Sequence, residues 1–479
     1  MNSLRVLMVA LLASILLFGQ ETPKPASRIL LIEHVTLIDS TGAPPKPDVS
    51  VLIDGGKIKT IKQSSRAKSP SGALRIDATG KFLIAGLWDM HVHALSRNEP
   101  DRFFPLFIAN GVTGIRDMGG DIPLREVARM KADFASGSQL GPELFAAGPI
   151  LEGEHPFWPF SIAVKGPTDA RRAVSQLVEE KADFLKVYNT LSRDSYLAIA
   201  SLAKENRIPY VGHIPDSVTP AEASDLGQKS IEHLWGIPPY LASDPEQIKK
   251  MSAEADSAED PKVAGNLYYK INQTVLASYD EKKAAALFAI FVHNHTSQTP
   301  TLVVLRSYAT IHDAAHGKDP RNAYMSDDLR KFWDSMGGAP DPRNDEIQLR
   351  LFDHNIEIVK AMHAAGVPLL AGTDTPNPYT YPGFSLPEEL QLLVSAGLSP
   401  MEALQTATIR AAAFLGVENR LGSVEEGKIA NLLLLDANPL DDIQNLKRVH
   451  AVILRGNFLD RTKLDQLLAA QKKDPAQSH

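Results

Sequence analysis

The chain has 479 residues, 44% of them hydrophobic and 22% charged, with 31 Gly, 33 Pro and no Cys. That composition can bury at least one large core and excludes a disordered chain, a collagen-like repeat or a disulfide scaffold. A net charge of -7, from 50 Lys and Arg against 57 Asp and Glu, is mild and evenly spread, which argues against a nucleic-acid partner. Without Cys there is no thiol nucleophile or thiolate metal site, so any chemistry falls to His, Asp, Glu, Lys, Ser or Tyr.

At the N-terminus Arg5 precedes an apolar stretch from Val6 to Phe18 and a polar, Pro-rich segment from Glu21 to Ser27. Residues 1–20 read as a secretory signal and 21–28 as a linker, which predicts export to the periplasm or the medium. The stretch is shorter than the ~20 residues of a membrane-spanning helix. No A-x-A cleavage box is present, so an uncleaved N-terminal anchor is the alternative and the sole expected membrane contact.

Residues 29–81 read as the first part of a small β-sandwich domain, with strands at Ile29–Ile32, Val35–Ile38 and Val49–Ile53 and a hairpin signal at Asp54-Gly55-Gly56. From Phe82 short apolar strands alternate with helical periodicity, the pattern of βαβ units. Strands are expected at Phe82–His93, Gly111–Asp117, Glu143–Leu151, Asp183–Tyr188, Tyr210–Ile214, Ser230–Leu234, Thr301–Leu305 and Pro368–Asp374. Eight such strands over residues 82–417 predict an α/β fold of the (β/α)8 TIM-like barrel kind. The polar segment 236–281 reads as a loop insertion, a lid or substrate wall. Residues 418–460 return to strands as the second part of the β-domain, and 461–479 form a C-terminal helix and tail.

Asp89-Met90-His91-Val92-His93 closes the first barrel strand. Residues two apart on a strand face one side, so His91 and His93 can share a metal. The pair His293 and His295 ends a helical run instead, where such spacing diverges, and reads as helix punctuation. Lys186 sits within an apolar strand, where an unpaired ammonium is costly. His213, His233 and Asp374 close three further strands, at the end where barrel active sites form. Glu232, beside His233, is expected to point away from the mouth and to be structural. Arg116, His155, Phe157, Trp158, Arg306, Tyr308 and Asn377 are candidates to line a substrate pocket, with Arg116 or Arg306 holding a substrate carboxylate or engaged in an ion pair.

His-x-His on strand one, Lys on four, His on five, His on six and Asp on eight resembles the binuclear, carboxylated-lysine form of the amidohydrolase superfamily. The resemblance spans residues 29–458 and includes Gly86–His93, Thr113–Gly119, Ala403–Thr408 and Gly422–Leu432, with Asn431 where the family usually has Asp. The chain is most similar to the imidazolonepropionase-like and prolidase-like members, and Lys186 favours the two-metal, prolidase-like branch. The resemblance implies two divalent ions, zinc being expected, with His91, His93 and Asp374 on one, His213 and His233 on the other, and N-carboxylated Lys186 between them. It further implies hydrolysis of an amide in a dipeptide or N-acyl amino acid by a hydroxide shared by the metals, with Asp374 moving the proton and Tyr188 binding the developing oxyanion. A cyclic amide, ester or carbamate is the nearest alternative substrate, and a non-catalytic metal-binding barrel the alternative of another class. Many relatives are homo-oligomers, but no surface in this chain identifies such an assembly.

Overall fold

The computed structural model describes residues 29–96 and 99–472; the expected signal and linker segments and the end of the tail lie outside them. No described helix is long and apolar enough to cross a membrane.

Strands Leu30–Leu37, Lys46–Asp54 and Lys57–Gln63 form an antiparallel meander. Its second turn uses Gly55 and Gly56, both at positive φ (59° and 75°), the backbone whose twist matches a two-residue hairpin. Phe82–Ala85 lies parallel to the first strand and antiparallel to Leu432–Leu435, which continues through Val449–Leu454 to Asn457–Asp460. The two ends of the chain therefore share a β-domain. Its strands hydrogen-bond as one eight-stranded sheet, so the expected sandwich is a single connected sheet. A core of its own, including Ile32, Val51, Leu83, Leu432 and Ile453, holds it together, each such side chain contributing about 1.5–3 kcal/mol.

The run Phe82–His93, expected as one strand, divides at Gly86. The Gly86 N–H donates to Asn431 O at 2.8 Å, and a Cβ there would lie 2.1 Å from Thr113 Oγ1, so the chain passes close beneath its neighbour and changes sheets. Leu87–Val92 then pairs in parallel with Val112–Asp117, and that strand with Glu143–Ala146. A second parallel sheet runs Ile162–Ala163, Leu151–Glu152, Leu185–Val187, Tyr210–Gly212, Ser230–Glu232, Ser297–Thr299. Asp183 N–H donates to Ala146 O at 3.0 Å, and single parallel bridges join Gln298 to Leu369 and Val92 to Thr375. Strand alternation sends Ile115, Leu185 and Ile231 outward into a core shared with helical residues such as Phe107, Val174, Ile199 and Phe291. Arg116, Lys186 and Glu232 take the opposite side.

Further expectations are corrected: Glu143–Leu151 divides into Glu143–Ala146 and Leu151–Glu152 in different sheets, and within Pro368–Asp374 only Leu369 makes a bridge. Thr301–Leu305 is not a strand: the strand is Ser297–Thr299, and Leu302–Ala309 is helical. Thr301 adopts φ 47°, turning the chain out of the extended run, and Glu389 Oε2 accepts from the Val303 N–H at 2.7 Å, satisfying a first-turn donor. The insertion 236–281 is not a loop but mainly helix, with Pro245–Asp256 and Pro261–Ala277 as its long pieces. Asp244 and Asp260 cap them through the N–H groups of Gln247 and Lys262. Ile248, Ala255, Ile271 and Val275 pack together, with Leu351 of the helix Pro342–Ala364 against them.

Candidate active site

Six side chains from five strands or strand-like segments converge, His91 and His93 sharing the first. Asp374 Oδ1 lies 3.3 Å from His91 Nε2 and 3.4 Å from His93 Nε2, and its Oδ2 lies 3.8 Å from His233 Nε2. His91, His93 and Asp374 present ligand-type atoms within 4.8 Å of one another, a spacing suited to a metal ion. The His233 ring lies 4.4 Å from that of His91 and 5.1 Å from that of His213, centroid to centroid. Lys186 is buried beside them; a Cβ on Gly212 would sit 3.0 Å from its Cδ and 2.1 Å from Val187 O, so glycine makes room for the lysine stem. Gly372 does the same for His91, whose Cβ an added methyl would approach to 2.7 Å.

Three imidazoles are held by Nδ1, which leaves Nε2 free to face the cluster. His91 Nδ1 donates to Glu232 Oε2 at 2.9 Å and His93 Nδ1 to Gly119 O at 2.9 Å. His233 Nδ1 lies 2.6 Å from Thr301 Oγ1, whose own hydrogen goes to Pro300 O at 2.8 Å, so the threonine oxygen accepts from the ring. His213 is held differently, its ring lying between Tyr188 (4.3 Å) and Trp235 (4.7 Å). Such partners fix ring orientation and tautomer. Among the described residues, His91 Nε2, His213 Nδ1 and Lys186 Nζ are buried without a hydrogen-bond partner.

Beneath the cluster lies a saturated polar layer. Arg116 is fully buried and donates to Met90 O (2.5 Å), Ser230 Oγ (3.0 Å), Thr299 Oγ1 (3.2 Å) and both oxygens of Glu232 (3.1 and 3.0 Å). The Asp89 carboxylate accepts from the Thr373 N–H (3.0 Å) and hydroxyl (2.6 Å). Asp117 receives Ala94, Leu95 and Gly119 N–H groups, which shapes the turns flanking His93.

Burial opposes charge throughout, and neighbours decide where it is overcome. It lowers the Lys186 ammonium to about 8 and His233 to about 3, and raises Asp89 to about 7. Burial and the Lys186 charge hold His213 well below the ordinary range. For Asp374 burial acts upward, but His233 and His91 outweigh it and keep the carboxyl well below the usual carboxylate value. Glu232 is likewise held low, the upward push of burial being overcome by Arg116 and His91.

The remaining candidates separate. Tyr188 is half-buried at the cluster, accepts from Trp158 Nε1 at 3.3 Å, and is pushed up by burial to about 12. Tyr308 donates to Asn377 Oδ1 (3.1 Å), and Asn377 Nδ2 donates to Asp374 O (2.9 Å), which ties both to the site. Phe157 and Trp158 lie on the loop after Leu151–Glu152. Arg116 is corrected as a substrate contact, because its donors are spent inside the barrel layer. Arg306 is also engaged, paired with Glu388 at 2.7 Å. His155 is exposed, and no contact ties it to the cluster. The histidine pair at 293 and 295 behaves as punctuation: His295 caps its helix at φ 54°.

Glu232 was expected outside the mouth, yet it orients His91. His233 and Leu234 adopt φ 59° and 55°, which breaks strand alternation and lets successive residues face the interior. Thr301 and the Gly119 carbonyl were also missed; backbone acceptors and a lone threonine leave no sequence signal.

The described geometry agrees with what comparison with known proteins finds. Residues 82–459 match the model of the Amidohydrolase family. An imidazolonepropionase of Pseudomonas aeruginosa is 23% identical over 399 residues, 81% of this chain and 87% of that protein. Among solved structures, the bottromycin amidohydrolase superposes with TM-score 0.74 at 21% identity, covering 95% of this chain and 93% of that one. A Xaa-Pro dipeptidase with bound methionine gives 0.64 at 20% identity, covering 90% and 100%. These likenesses carry the fold, a TIM-like barrel with a small β-domain, and the match over most of its length makes this chain a member of the amidohydrolase family.

Proposed function

We propose that this chain is a metal-dependent hydrolase of amide C–N bonds, acting on a dipeptide or N-acyl amino acid in the manner of the prolidase-like branch, after export from the cell. The observation that carries the reading is the set of buried, unpartnered nitrogens, His91 Nε2, His213 Nδ1 and Lys186 Nζ, gathered around the Asp374 carboxylate. An unpaired buried polar atom costs about 1–3 kcal/mol; divalent cations would give His91 Nε2 and His213 Nδ1 a partner, and N-carboxylation would turn the Lys186 amine into an anionic oxygen donor. The donor set fits two such ions: imidazoles and carboxylates suit zinc. His91, His93 and Asp374 would hold one, His213 and His233 the other, and the Lys186 carbamate would join them. The bridges and bonds between successive parallel strands support a closed eight-stranded barrel around them.

Divalent ions there supply Lewis acidity toward the substrate carbonyl and make water acidic enough to attack at neutral pH. The chain supplies the rest. Asp374, kept ionised by its histidine neighbours, accepts the proton of the attacking water and passes it to the departing nitrogen as the C–N bond breaks, leaving a carboxylate and an amine. Tyr188, whose raised pKa keeps its O–H through neutral pH, donates to the carbonyl oxygen as it gains charge. Glu232, Gly119 and Thr301 keep three imidazoles aimed.

The test is purified protein assayed against dipeptides, N-acyl amino acids, cyclic amides, esters and carbamates, with metal content measured in parallel. Amide turnover with about two divalent ions per chain supports the reading; a folded, metal-free protein without turnover sinks it. Lys186→Ala should lose activity and regain part of it with added short carboxylic acids, and failure of that rescue counts against the carbamate.

A further inference from the structure

The mouth carries an aromatic shelf that the chemistry above leaves unused. Glu152 pins its loop, accepting from Phe157 N–H (2.8 Å), Trp158 N–H (3.3 Å) and Ser161 hydroxyl (2.5 Å). Trp158 stacks on Phe160, meets Phe157 edge-on at 4.9 Å, and bonds Tyr188 through its indole. On the other side of His213 lies Trp235, nearly parallel to it at 13°. Phe157 is 64% exposed and Trp235 38% exposed. The loop group thus reaches His213 through Trp158 and Tyr188, Trp235 stacks on the same imidazole, and the pinned loop presents the exposed Phe157 ring at little ordering cost. The guanidiniums first considered for a substrate carboxylate are engaged elsewhere, Arg116 with Glu232 and Arg306 with Glu388, which also binds Arg321 at 2.6 Å.

We infer that this site selects its substrate by a bulky apolar or aromatic side chain beside the scissile amide, seated against Phe157 and Trp235, rather than by a grip on a free carboxylate. The inference rests on the amide-hydrolase reading above. Pocket contacts of this kind discriminate by about 10–200-fold for even small differences in apolar volume.

The experiment uses the zinc-loaded protein and matched N-acetyl derivatives of Phe, Leu, Ala and Gly, together with the primary amide of the Phe compound. Expected are a kcat/KM for the Phe compound at least about tenfold above that for Ala, and a change below about threefold when its carboxylate becomes an amide. Phe157→Ala should narrow the Phe-over-Ala ratio, mainly through KM, and Phe157→Trp should preserve it. Binding of uncleavable reduced-amide analogues, followed by tryptophan fluorescence, should give the same order without turnover. Equal handling of Phe, Ala and Gly, a preference that survives Phe157→Ala, or loss of turnover on blocking the carboxylate overturns the inference. Hydrolysis without discrimination leaves the hydrolase standing and removes the shelf. Selective analogue binding with no amide cleaved does the reverse.

Discussion

Two polar layers stacked in the barrel interior are built from the same strands and obey opposite rules. In the lower one, Arg116, Glu232, Ser230, Thr299, Asp89 and Thr373 satisfy one another. In the upper one, His91, His213 and Lys186 each keep a buried nitrogen without a partner. A few ångströms of strand separate side chains that pair with one another from three buried nitrogens that do not. Full burial of charge is tolerated in the first because every donor has an acceptor, and in the second only if something else completes the set.

The largest effect should come from stripping divalent ions with a chelator: turnover should vanish and return on adding zinc, while an unchanged rate would mean that the upper layer needs no ions. Asp374→Asn comes next, with turnover expected to fall by about 10²–10⁴-fold while the circular-dichroism spectrum stays native. Near-native kcat in that variant would remove Asp374 from proton transfer. The lower layer should respond differently. Glu232→Gln unhooks His91 and leaves the Arg116 charge unpaired, so activity or metal affinity should drop about 10–100-fold and urea unfolding should show a loss of about 3–5 kcal/mol. Adding Arg116→Met should restore much of the stability and none of the activity; recovery of both would make the layer mere packing.

The smallest effect tests whether every unpartnered buried atom marks a ligand. Glu389 also has an oxygen without a partner, far from the imidazoles in sequence, and burial raises its carboxyl to about 8. Its folded value exceeds its ordinary one of 4.5, so this position imposes no penalty at acid pH and reduces stability as pH rises toward 8. The stability difference between parent and Glu389→Gln should shift against the parent by up to about 1.4 kcal/mol per pH unit between pH 5 and 8. A flat difference in urea unfolding would mean that the carboxyl is ionised and paired.

Five of the six converging residues were legible because each stands at or near the end of an apolar run, where strand polarity fixes the face it joins, and Lys186 because it puts an ammonium inside one. The supporting layer was less so. Glu232 follows alternation into the interior, and His233 joins it there only because it turns left-handed, a backbone state that no neighbouring glycine announces. Ser297–Thr299 escaped notice because its inward residues are polar, Thr299 serving Arg116, while the Val-Val-Leu run after it looked like a strand and folds as a helix. Arg116 read as a substrate-carboxylate or ion-pair contact because sequence shows a guanidinium but not the five acceptors around it. The insertion read as loop because its helices are amphipathic around a narrow seam rather than a broad core.

That seam has a consequence of its own. Ile248, Ala255, Ile271 and Val275 knit the two insertion helices largely to each other, and Asp216, which contacts Trp235, feels Lys249 and Asp256 from the first of them. The hairpin thus has a seam of its own and leans on the helix Pro342–Ala364 through Leu351 and through Arg343, which donates to Asn266 at 3.0 Å. A change in that hairpin is therefore felt at Trp235 through Asp216, so the outer wall of the His213 ring and the far end of the insertion are one mechanical unit.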